Sequence, residues 1–336
     1  MRVGASRAPH EALGLSHDDL RAMYGAMLTA RLVDEASFRL NRQGKAPFVV
    51  PVSGHEGCQV ATAWPLRPGV DWWFPYYRDL AVVLVAGMTP YEIFLGLFAK
   101  ADDPSSGGRQ MPAHWGAKAL NVVSHSSPIS TQISQAAGVA YAAMLRGEDT
   151  VTVSWFGDGA TSEGGWHEGL NFAGIHRLPV IFVCENNQYA ISVGQEKQMA
   201  VKDVADRAAG YGFPGVVVDG NDVLACYAAM REAVTRAKSG QGPTLIEAKT
   251  YRFLPHTSDD DDRAYRSREE VDAARRHDPV ASFAAYLVEW GVMDTSAIDA
   301  LAAERKATIE ADADRAWAAA DPDPATLGRH VFREDA

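Results

Sequence analysis

Two short apolar segments in the middle of the chain, Val151–Phe156 and Leu178–Cys184, each end abruptly in small or polar residues. Both are rich in β-branched residues, which favours buried strands. Between them, Glu163–His176 places Trp166 and Leu170 four residues apart on one apolar face, the spacing of an amphipathic helix. Strand, helix and strand in this order predict a βαβ unit, whose two strands run parallel and end at the same edge of a sheet.

The same alternation continues on both sides of this unit. A helical pattern begins at Ser16, where Ser16 and Asp19 resemble a capping box, and it runs to about Gln43. An alternation of strands and helices predicts an α/β fold with a mostly parallel sheet that is covered by helices on both faces. Further helices are predicted at Leu80–Gly87, Pro90–Lys100, Ile129–Leu145, 201–210 and 222–238, and further strands at Val216–Asp219 and Thr244–Tyr251.

The two ends of the chain extend this core. Residues 1–15 are expected to form a loose tail, and residues 269–336 are Ala-rich, which predicts helices followed by a tail. We therefore expect a tail at 1–15 and a single domain at 16–330, with helical extensions at its N- and C-terminal ends. We find no internal repeat and no long linker.

One charged segment, Pro255–Arg268 (PHTSDDDDRAYRSR), interrupts the C-terminal half of the chain. Its composition predicts a loop that is too polar to pack. Because four consecutive aspartates repel one another, we also expect this loop to be mobile until a ligand engages His256 and the basic residues around it.

Oxygen-rich residues follow both strands of the central βαβ unit. Gly157-Asp158-Gly159 ends the first strand, and Asn186-Asn187-Gln188-Tyr189 ends the second. Carboxylate, amide and main-chain oxygens suit a hard cation such as Mg²⁺, and a glycine-rich turn before a helix suits a phosphate. Alternatively, Asp158 is a helix N-cap and Asn186-Asn187 an ordinary turn. Their position on adjacent strand ends, where open α/β sheets bind ligands, favours a site for a metal and a diphosphate.

Two other segments carry candidate functional residues. Pro68–Asp79 (PGVDWWFPYYRD) holds five aromatic residues beside Arg78. It is either a packed core segment or a ligand-facing loop, in which the Tyr77 hydroxyl and the Arg78 guanidinium suit phosphate. His55 and Glu56 are either catalytic or the first residues of a helix, and the helix start is the safer interpretation.

Composition narrows the class of protein. Hydrophobic residues make up 47% of the 336 residues and charged residues 22%, which is typical of a globular protein. A net charge of −11 argues against nucleic-acid binding, and no apolar run is long enough to span a membrane. The N-terminal segment lacks the apolar core of a secretory signal, and the three cysteines are far apart in apolar surroundings. We expect a cytoplasmic protein with reduced thiols.

The motif pair has a known counterpart. Gly157-Asp158-Gly159, followed after residues 160–185 by Asn186-Asn187, resembles the thiamine-diphosphate motif. In proteins with this motif, the aspartate, the second asparagine and a backbone carbonyl two residues later hold the Mg²⁺ of the cofactor. The resemblance therefore assigns Mg²⁺ to Asp158, Asn187 and the main chain of Tyr189, and it implies the thiamine-diphosphate-binding α/β fold.

Most of the chain resembles one branch of these proteins, the α subunits of the decarboxylating component of branched-chain 2-oxo acid dehydrogenase complexes. The segments that carry this resemblance are FPYYRD, GGRQMPAHW, SSPISTQ, FGDGATSEG, ENNQYAIS and PHTSDDDDRAYR. The resemblance implies that Tyr77 and Arg78 bind the diphosphate and that His256 is the active-site histidine. It further assigns Ser127, Pro128 and Ile129 to the cofactor surroundings, Gly159, Ala160 and Glu163 to the diphosphate loop, and Phe48, Met111, Tyr77 and Ser127 to substrate contacts.

The resemblance also implies the reaction and the partners of the family. The reaction is decarboxylation of a branched-chain 2-oxo acid with thiamine diphosphate, and the acyl group is then transferred to a lipoyl group on an acyltransferase component. Members also need a pyrimidine-binding domain with a glutamate, which we do not identify here, so a β subunit in an α2β2 assembly is expected to supply it. Thr257 and Ser258 lie in the loop that is phosphorylated in some members.

Several alternatives remain at this point. A dinucleotide-binding oxidoreductase is disfavoured, because Ser162 stands where G-x-G-x-x-G requires glycine. His256 could be a surface histidine that balances the neighbouring aspartates. The chain could also be a non-catalytic assembly subunit, or the α subunit of a pyruvate or acetoin dehydrogenase.

Overall fold

A computed structural model describes residues 8–329 and residue 331. Within this part of the chain, the main sheet has five parallel strands in the order β1-β2-β3-β7-β6. A short antiparallel hairpin, β4 and β5, follows β3. The strands are β1 (Trp72–Phe74), β2 (Thr152–Gly157), β3 (Val180–Asn186), β4 (Tyr189–Ala190), β5 (Val193–Gly194), β6 (Gly215–Asp219) and β7 (Thr244–Lys249).

Helices cover both faces of this sheet, which confirms the predicted fold class. Two buried apolar clusters separate the layers: Trp155 and Val183 point into one, and Phe156 and Phe182 into the other. The α-helices are α1 (Pro9–Ala12), α2 (His17–Arg42), α3 (Glu56–Ala63), α4 (Leu80–Ala86), α5 (Pro90–Leu97), α6 (Thr131–Arg146), α7 (Gly164–His176), α8 (Val223–Lys238), α9 (Arg268–Arg275), α10 (Pro279–Glu289) and α11 (Thr295–Trp317). Helices α6 and α7 lie on one face, and α2, α3, α4 and α8 on the other.

The central βαβ unit is present as predicted. Strands β2 and β3 pair in parallel, with Gly157 opposite Glu185 at their carboxyl ends. Helix α7 makes the crossover, and a 3-10 turn at Asp158–Ser162 precedes it. The polar residues that follow the two strands therefore lie side by side at one edge of the sheet.

Helix α2 also confirms the local sequence pattern. The Ser16 hydroxyl accepts a hydrogen bond from Asp19 N at 3.1 Å, and the Asp19 carboxylate accepts one from Ser16 N at 2.9 Å. This reciprocal capping satisfies two backbone donors that would otherwise be free at the helix start. No helix among the described residues combines the length and hydropathy needed to cross a bilayer.

Three elements differ from the expectations. Residues 1–7 of the expected tail lie outside the described residues, but Pro9–Ala12 is a helical turn whose His10 is buried against Tyr286. Residues 201–210 were expected to form an α-helix, whereas Val204–Tyr211 is a 3-10 helix. Strand β1 lies in the aromatic segment and was not predicted, because three residues are too few to show an alternating pattern. The assignment of 16–330 to one domain stays a prediction.

The loop Pro255–Arg268 packs against the body of the protein, so the expectation of an unpacked loop is wrong. The guanidinium of Arg266 is buried and donates to the carbonyls of Arg252 and Leu254, both at 2.7 Å. Each aspartate has a donor nearby, which offsets the mutual repulsion. Asp259 accepts from Ser258, Asp260 from His256 N and Tyr265, Asp261 from Arg263, and Asp262 from Arg266. Mobility of the loop without a ligand stays a prediction.

A candidate cofactor site at the carboxyl edge of the sheet

A cavity of about 330 Å³ opens at the carboxyl ends of β2 and β3. It collects most of the residues that the sequence singled out, although they come from distant parts of the chain. Its predicted lining residues are Tyr77, Arg78, Ser127, Ile129, Asp158, Gly159, Ala160, Asn187, Tyr189 and His256. Gly157, from the predicted glycine-rich turn, also lines the cavity, and Tyr76, Ala190 and Ile191 complete the lining without having been predicted.

Asp158 presents one free carboxylate oxygen to this region. Its Oδ2 accepts a hydrogen bond from Gln198 Nε2 at 2.8 Å, whereas its Oδ1 is buried and has no hydrogen-bond partner among the described residues. The side chain caps no helix, which rules out the alternative of an ordinary N-cap. Burial raises the pKa of this carboxyl above its usual range. A buried, unpaired carboxylate oxygen is costly unless a cation or proton satisfies it, so its environment fits a metal ligand.

The two asparagines after β3 have different roles. Asn186 makes the turn: its amide donates to Glu247 and Gln195, and its Oδ1 accepts from Gln188 N at 2.9 Å. Asn187 lines the cavity, and its Oδ1 accepts a hydrogen bond from Tyr189 N at 3.2 Å. Asn186 therefore fits the interpretation as a turn residue, and Asn187 fits the interpretation as a ligand-binding residue. Of the two, only Asn187 lines the cavity.

The cavity is also lined by hydrogen-bond donors. The buried guanidinium of Arg78 donates to Pro51 O, and its Nη2 lies 3.2 Å from His256 Nδ1. Because arginine only donates, His256 must accept at Nδ1 and carry its proton at Nε2. Burial, together with the charges of Arg78 and Arg252, lowers the pKa of His256 to about 3. His256 is therefore a neutral ring with a donor at Nε2.

Arg252 is a second buried guanidinium, next to the cavity-lining residue Ile191, and it was not predicted from the sequence. Its Nη2 donates to Ile191 O and to the Tyr265 hydroxyl, both at 2.6 Å, while its Nε and Nη1 have no hydrogen-bond partner within residues 8–329 and 331. Its charge acts to lower the pKa of both His256 and Asp158. The signal that could have revealed it is its position three residues after β7, at the same edge of the sheet as Asp158.

The turn after β2 approaches the β4–β5 hairpin very closely. A Cβ atom added at Gly159 would lie 2.9 Å from Ala190 Cβ, so only glycine fits there without a shift. The backbone of this turn is thus left open at a position that lines the cavity. Together with the free Asp158 oxygen and the arginine donors, this backbone fits a diphosphate held by a divalent cation.

Gly159→Ala is expected to destabilise the protein by roughly 1–3 kcal/mol, because the new methyl group overpacks the contact with Ala190. Urea denaturation measures the change. Gly164→Ala is the matched control, since a Cβ there meets nothing within 4 Å and alanine favours the first turn of α7. Equal stability of the two variants would show that the turn and hairpin adapt freely.

Not every predicted site residue reaches the cavity. Pro128 and Glu163 are exposed beside it, Glu163 at the N-cap of α7. Phe48 lines a separate small cavity with Asp34 and Trp115, and Met111 is 53% exposed next to another one. Ser127 reaches the site, and its hydroxyl is 2.7 Å from His114 Nε2. The structure thus groups the predicted metal ligands with Tyr77, Arg78 and His256, but it does not bring Glu163, Pro128 or all the predicted substrate contacts into the same cavity.

His55 and Glu56, the other pair of candidate residues, have different partners in the structure. Glu56 forms a buried ion pair with Arg31, which also binds Asp278, and this network holds α2, α3 and α10 together. His55 is fully buried at the start of α3 and contacts Glu185 and Asn187 instead. Neither residue lines the cavity.

Comparison with known proteins agrees with this geometry. Over residues 24–325, the chain matches the family described as dehydrogenase E1 component. It is 49% identical over 308 residues to the 2-oxoisovalerate dehydrogenase subunit alpha of Bacillus subtilis, covering 90% of this chain and 93% of that protein. It is 45% identical to the 3-methyl-2-oxobutanoate dehydrogenase subunit alpha of Mycobacterium tuberculosis (83% of this chain, 73% of that one). It is 39% identical to the pyruvate dehydrogenase E1 component subunit alpha of Bacillus cereus (88% and 77%).

Proposed function

The chain belongs to the dehydrogenase E1 component family, and we propose that it is the α subunit of a thiamine-diphosphate-dependent branched-chain 2-oxo acid dehydrogenase. The observation that carries this proposal is the position of Asp158 and Asn187 on adjacent strand ends, in one cavity with Arg78 and His256. The relatives named for branched-chain substrates are 49% and 45% identical, against 39% for the pyruvate relative.

In this proposal, different lining residues of the cavity bind the Mg²⁺ and the diphosphate of the cofactor complex. Asp158 Oδ1, Asn187 Oδ1 and the main-chain carbonyl of Tyr189 bind Mg²⁺, which prefers such oxygen ligands. Arg78 and Tyr77 donate to the diphosphate, and the backbone at Gly159 and Ala160 approaches it. Ser127 and Ile129 line the cavity around the bound group, and Pro128 and Glu163 lie beside it.

The chemistry of the reaction belongs to the cofactor, while the chain controls its surroundings. Bound thiamine diphosphate supplies the electron sink that allows a 2-oxo acid to lose carbon dioxide. His256 is the proposed catalytic residue of this chain, because its Nε2–H is available as a donor and Arg78 fixes the tautomer. It holds the diphosphate and assists proton transfer when the acyl group passes to the lipoyl group. Phe48, Met111, Tyr77 and Ser127 remain the proposed substrate contacts.

A second subunit is expected to cover the cavity. Ile191 lines the cavity with 56% of its surface exposed, and Val193 on the same hairpin is 42% exposed. Apolar side chains around an open site favour a protein partner. We therefore include in the proposal a β subunit in an α2β2 assembly, a lipoyl-bearing acyltransferase component and a cytoplasmic location, with which the free buried cysteines agree.

The test of this proposal is co-expression with a β subunit of the same organism, followed by assays of decarboxylation across 2-oxo acids. We expect branched-chain 2-oxo acids to be preferred over pyruvate. The preference should be graded, because one methylene in an apolar pocket changes the free energy of activation by roughly 1–3 kcal/mol. A pyruvate preference would contradict the branched-chain assignment, and failure of the complex to bind thiamine diphosphate would contradict the proposed function altogether.

A further inference from the structure

The two side chains proposed to bind the metal, Asp158 and Asn187, are each contacted by a second side chain that is not part of the motif. Each has two polar atoms at its tip, and in each case a neighbouring side chain occupies one of them. Gln198 Nε2 donates to Asp158 Oδ2 at 2.8 Å, and His55 Nε2 lies 3.4 Å from Asn187 Nδ2. The second atom of each ligand, Asp158 Oδ1 and Asn187 Oδ1, is left for the cavity, where Tyr189 N also reaches Asn187 Oδ1.

The hydrogen-bond partners of His55 determine which of its ring nitrogens carries the proton. His55 Nδ1 is 2.7 Å from Glu185 Oε2, and the same oxygen accepts from Gln59 Nε2 at 2.9 Å and from the Tyr76 hydroxyl at 3.1 Å. All four side chains are buried. An oxygen that accepts from three groups requires a proton on His55 Nδ1, and His55 Nε2, which faces the amide nitrogen Asn187 Nδ2, accepts from it through its lone pair.

This tautomer fixes the orientation of the Asn187 amide. A lone pair on His55 Nε2 can face the NH₂ of Asn187 but repels its carbonyl oxygen. Rotating the amide by half a turn would therefore break the contact with His55 and present N–H donors to the metal site. Such outer partners of metal ligands are known to set ligand orientation and affinity in general.

We propose that His55, oriented by Glu185, and Gln198 are positioning residues that present Asn187 Oδ1 and Asp158 Oδ1 to the cation. This inference rests on the proposed function, because it assumes that both side chains bind the metal of the cofactor complex. Gln198 contacts one of the two polar atoms of Asp158, as His55 does for Asn187. The Gln198 amide also donates to Val193 O at 2.9 Å, which fixes it to the β4–β5 hairpin. The competing interpretation is that His55 and Glu185 only join α3 to the sheet.

The experiment uses the assembled complex with saturating thiamine diphosphate and measures Mn²⁺ affinity by electron paramagnetic resonance of the free ion. We expect His55→Leu to weaken Mn²⁺ binding about 10- to 100-fold, the range typical of outer partners of metal ligands. His55→Gln should retain most of the affinity, because its amide offers a donor to Glu185 and an acceptor to Asn187. Gln198→Leu, at a half-buried position, should also weaken Mn²⁺ binding, because it removes the donor to Asp158 Oδ2.

Thr62→Val is the matched control on the same helix. Thr62 is fully buried and accepts from Trp155 Nε1 at 3.0 Å, so this change should lower the thermal stability of the metal-free complex without changing Mn²⁺ affinity. Wild-type Mn²⁺ affinity in both His55→Leu and Gln198→Leu would overturn the inference. Equal losses in His55→Leu and His55→Gln would overturn it for His55. If the wild-type complex itself bound no Mn²⁺ with thiamine diphosphate, the proposed function would fail instead.

Discussion

Asp158→Ala is expected to abolish magnesium-dependent binding of thiamine diphosphate while leaving the protein folded. Asp158 supplies the only carboxylate among the proposed metal ligands, and its Oδ1 is already buried without a hydrogen-bond partner in the part of the chain that the structure describes. We expect cofactor affinity to fall by more than about 100-fold, because loss of an outer partner alone costs about 10- to 100-fold. Calorimetric titration of the assembled complex with thiamine diphosphate and Mg²⁺ measures the loss.

The same substitution should not lower the stability of the metal-free complex. Burial raises the pKa of Asp158, which means that the ionised carboxylate is unfavourable in its surroundings without a cation. Removing it should leave the thermal midpoint unchanged or higher. The control is Asp219→Ala, which removes a carboxylate at the end of β6 on the same sheet edge, where it binds Asn221 and not the cavity. Unchanged cofactor affinity in Asp158→Ala would contradict the metal assignment.

The parts of the site that could be predicted are those encoded locally. Thr152–Gly157 and Val180–Asn186 were recognisable because buried strands are continuous apolar runs, and the residues that follow such strands must lie at one sheet edge. Asp158 and Asn187 were therefore found from their places in the chain alone. The aromatic segment offered Tyr77 and Arg78 as phosphate-binding candidates, and the family resemblance assigned them to the diphosphate and added His256, which the sheet edge does not locate.

The parts that could not be predicted depend on pairs that are distant in sequence. His55 bonds to Glu185, and Arg252 to Ile191, across long stretches of chain. The sequence shows that Glu185 lies in an apolar strand, but it does not show which distant side chain this carboxylate contacts. Its contact with His55 could therefore not be predicted. The loop Pro255–Arg268 illustrates the same limit, because its polarity predicted exposure while its arginines and aspartates satisfy one another within the fold.

The isolated chain is expected to show no decarboxylation of 2-oxoisovalerate, even with excess Mg²⁺ and thiamine diphosphate. Within residues 8–329 and 331, the chain has one parallel sheet, and its carboxyl edge is already occupied by the proposed diphosphate site. By the family resemblance, activation of the cofactor needs a glutamate on a second, pyrimidine-binding domain. A chain that supplies only the diphosphate half of the site is expected to bind the diphosphate without activating the reacting carbon.

Adding the β subunit should restore activity, and the comparison is made at equal α-chain concentration by measuring carbon dioxide release. An α chain carrying Asp158→Ala, assembled with the same β subunit, should stay inactive and thereby shows that the restored activity uses the site in this chain. Covering Ile191 and Val193 on assembly should also protect the β4–β5 hairpin from proteolysis, which reports binding independently of turnover. Robust turnover by the isolated chain would contradict the two-subunit site, because a single parallel sheet would then have to provide both halves of it.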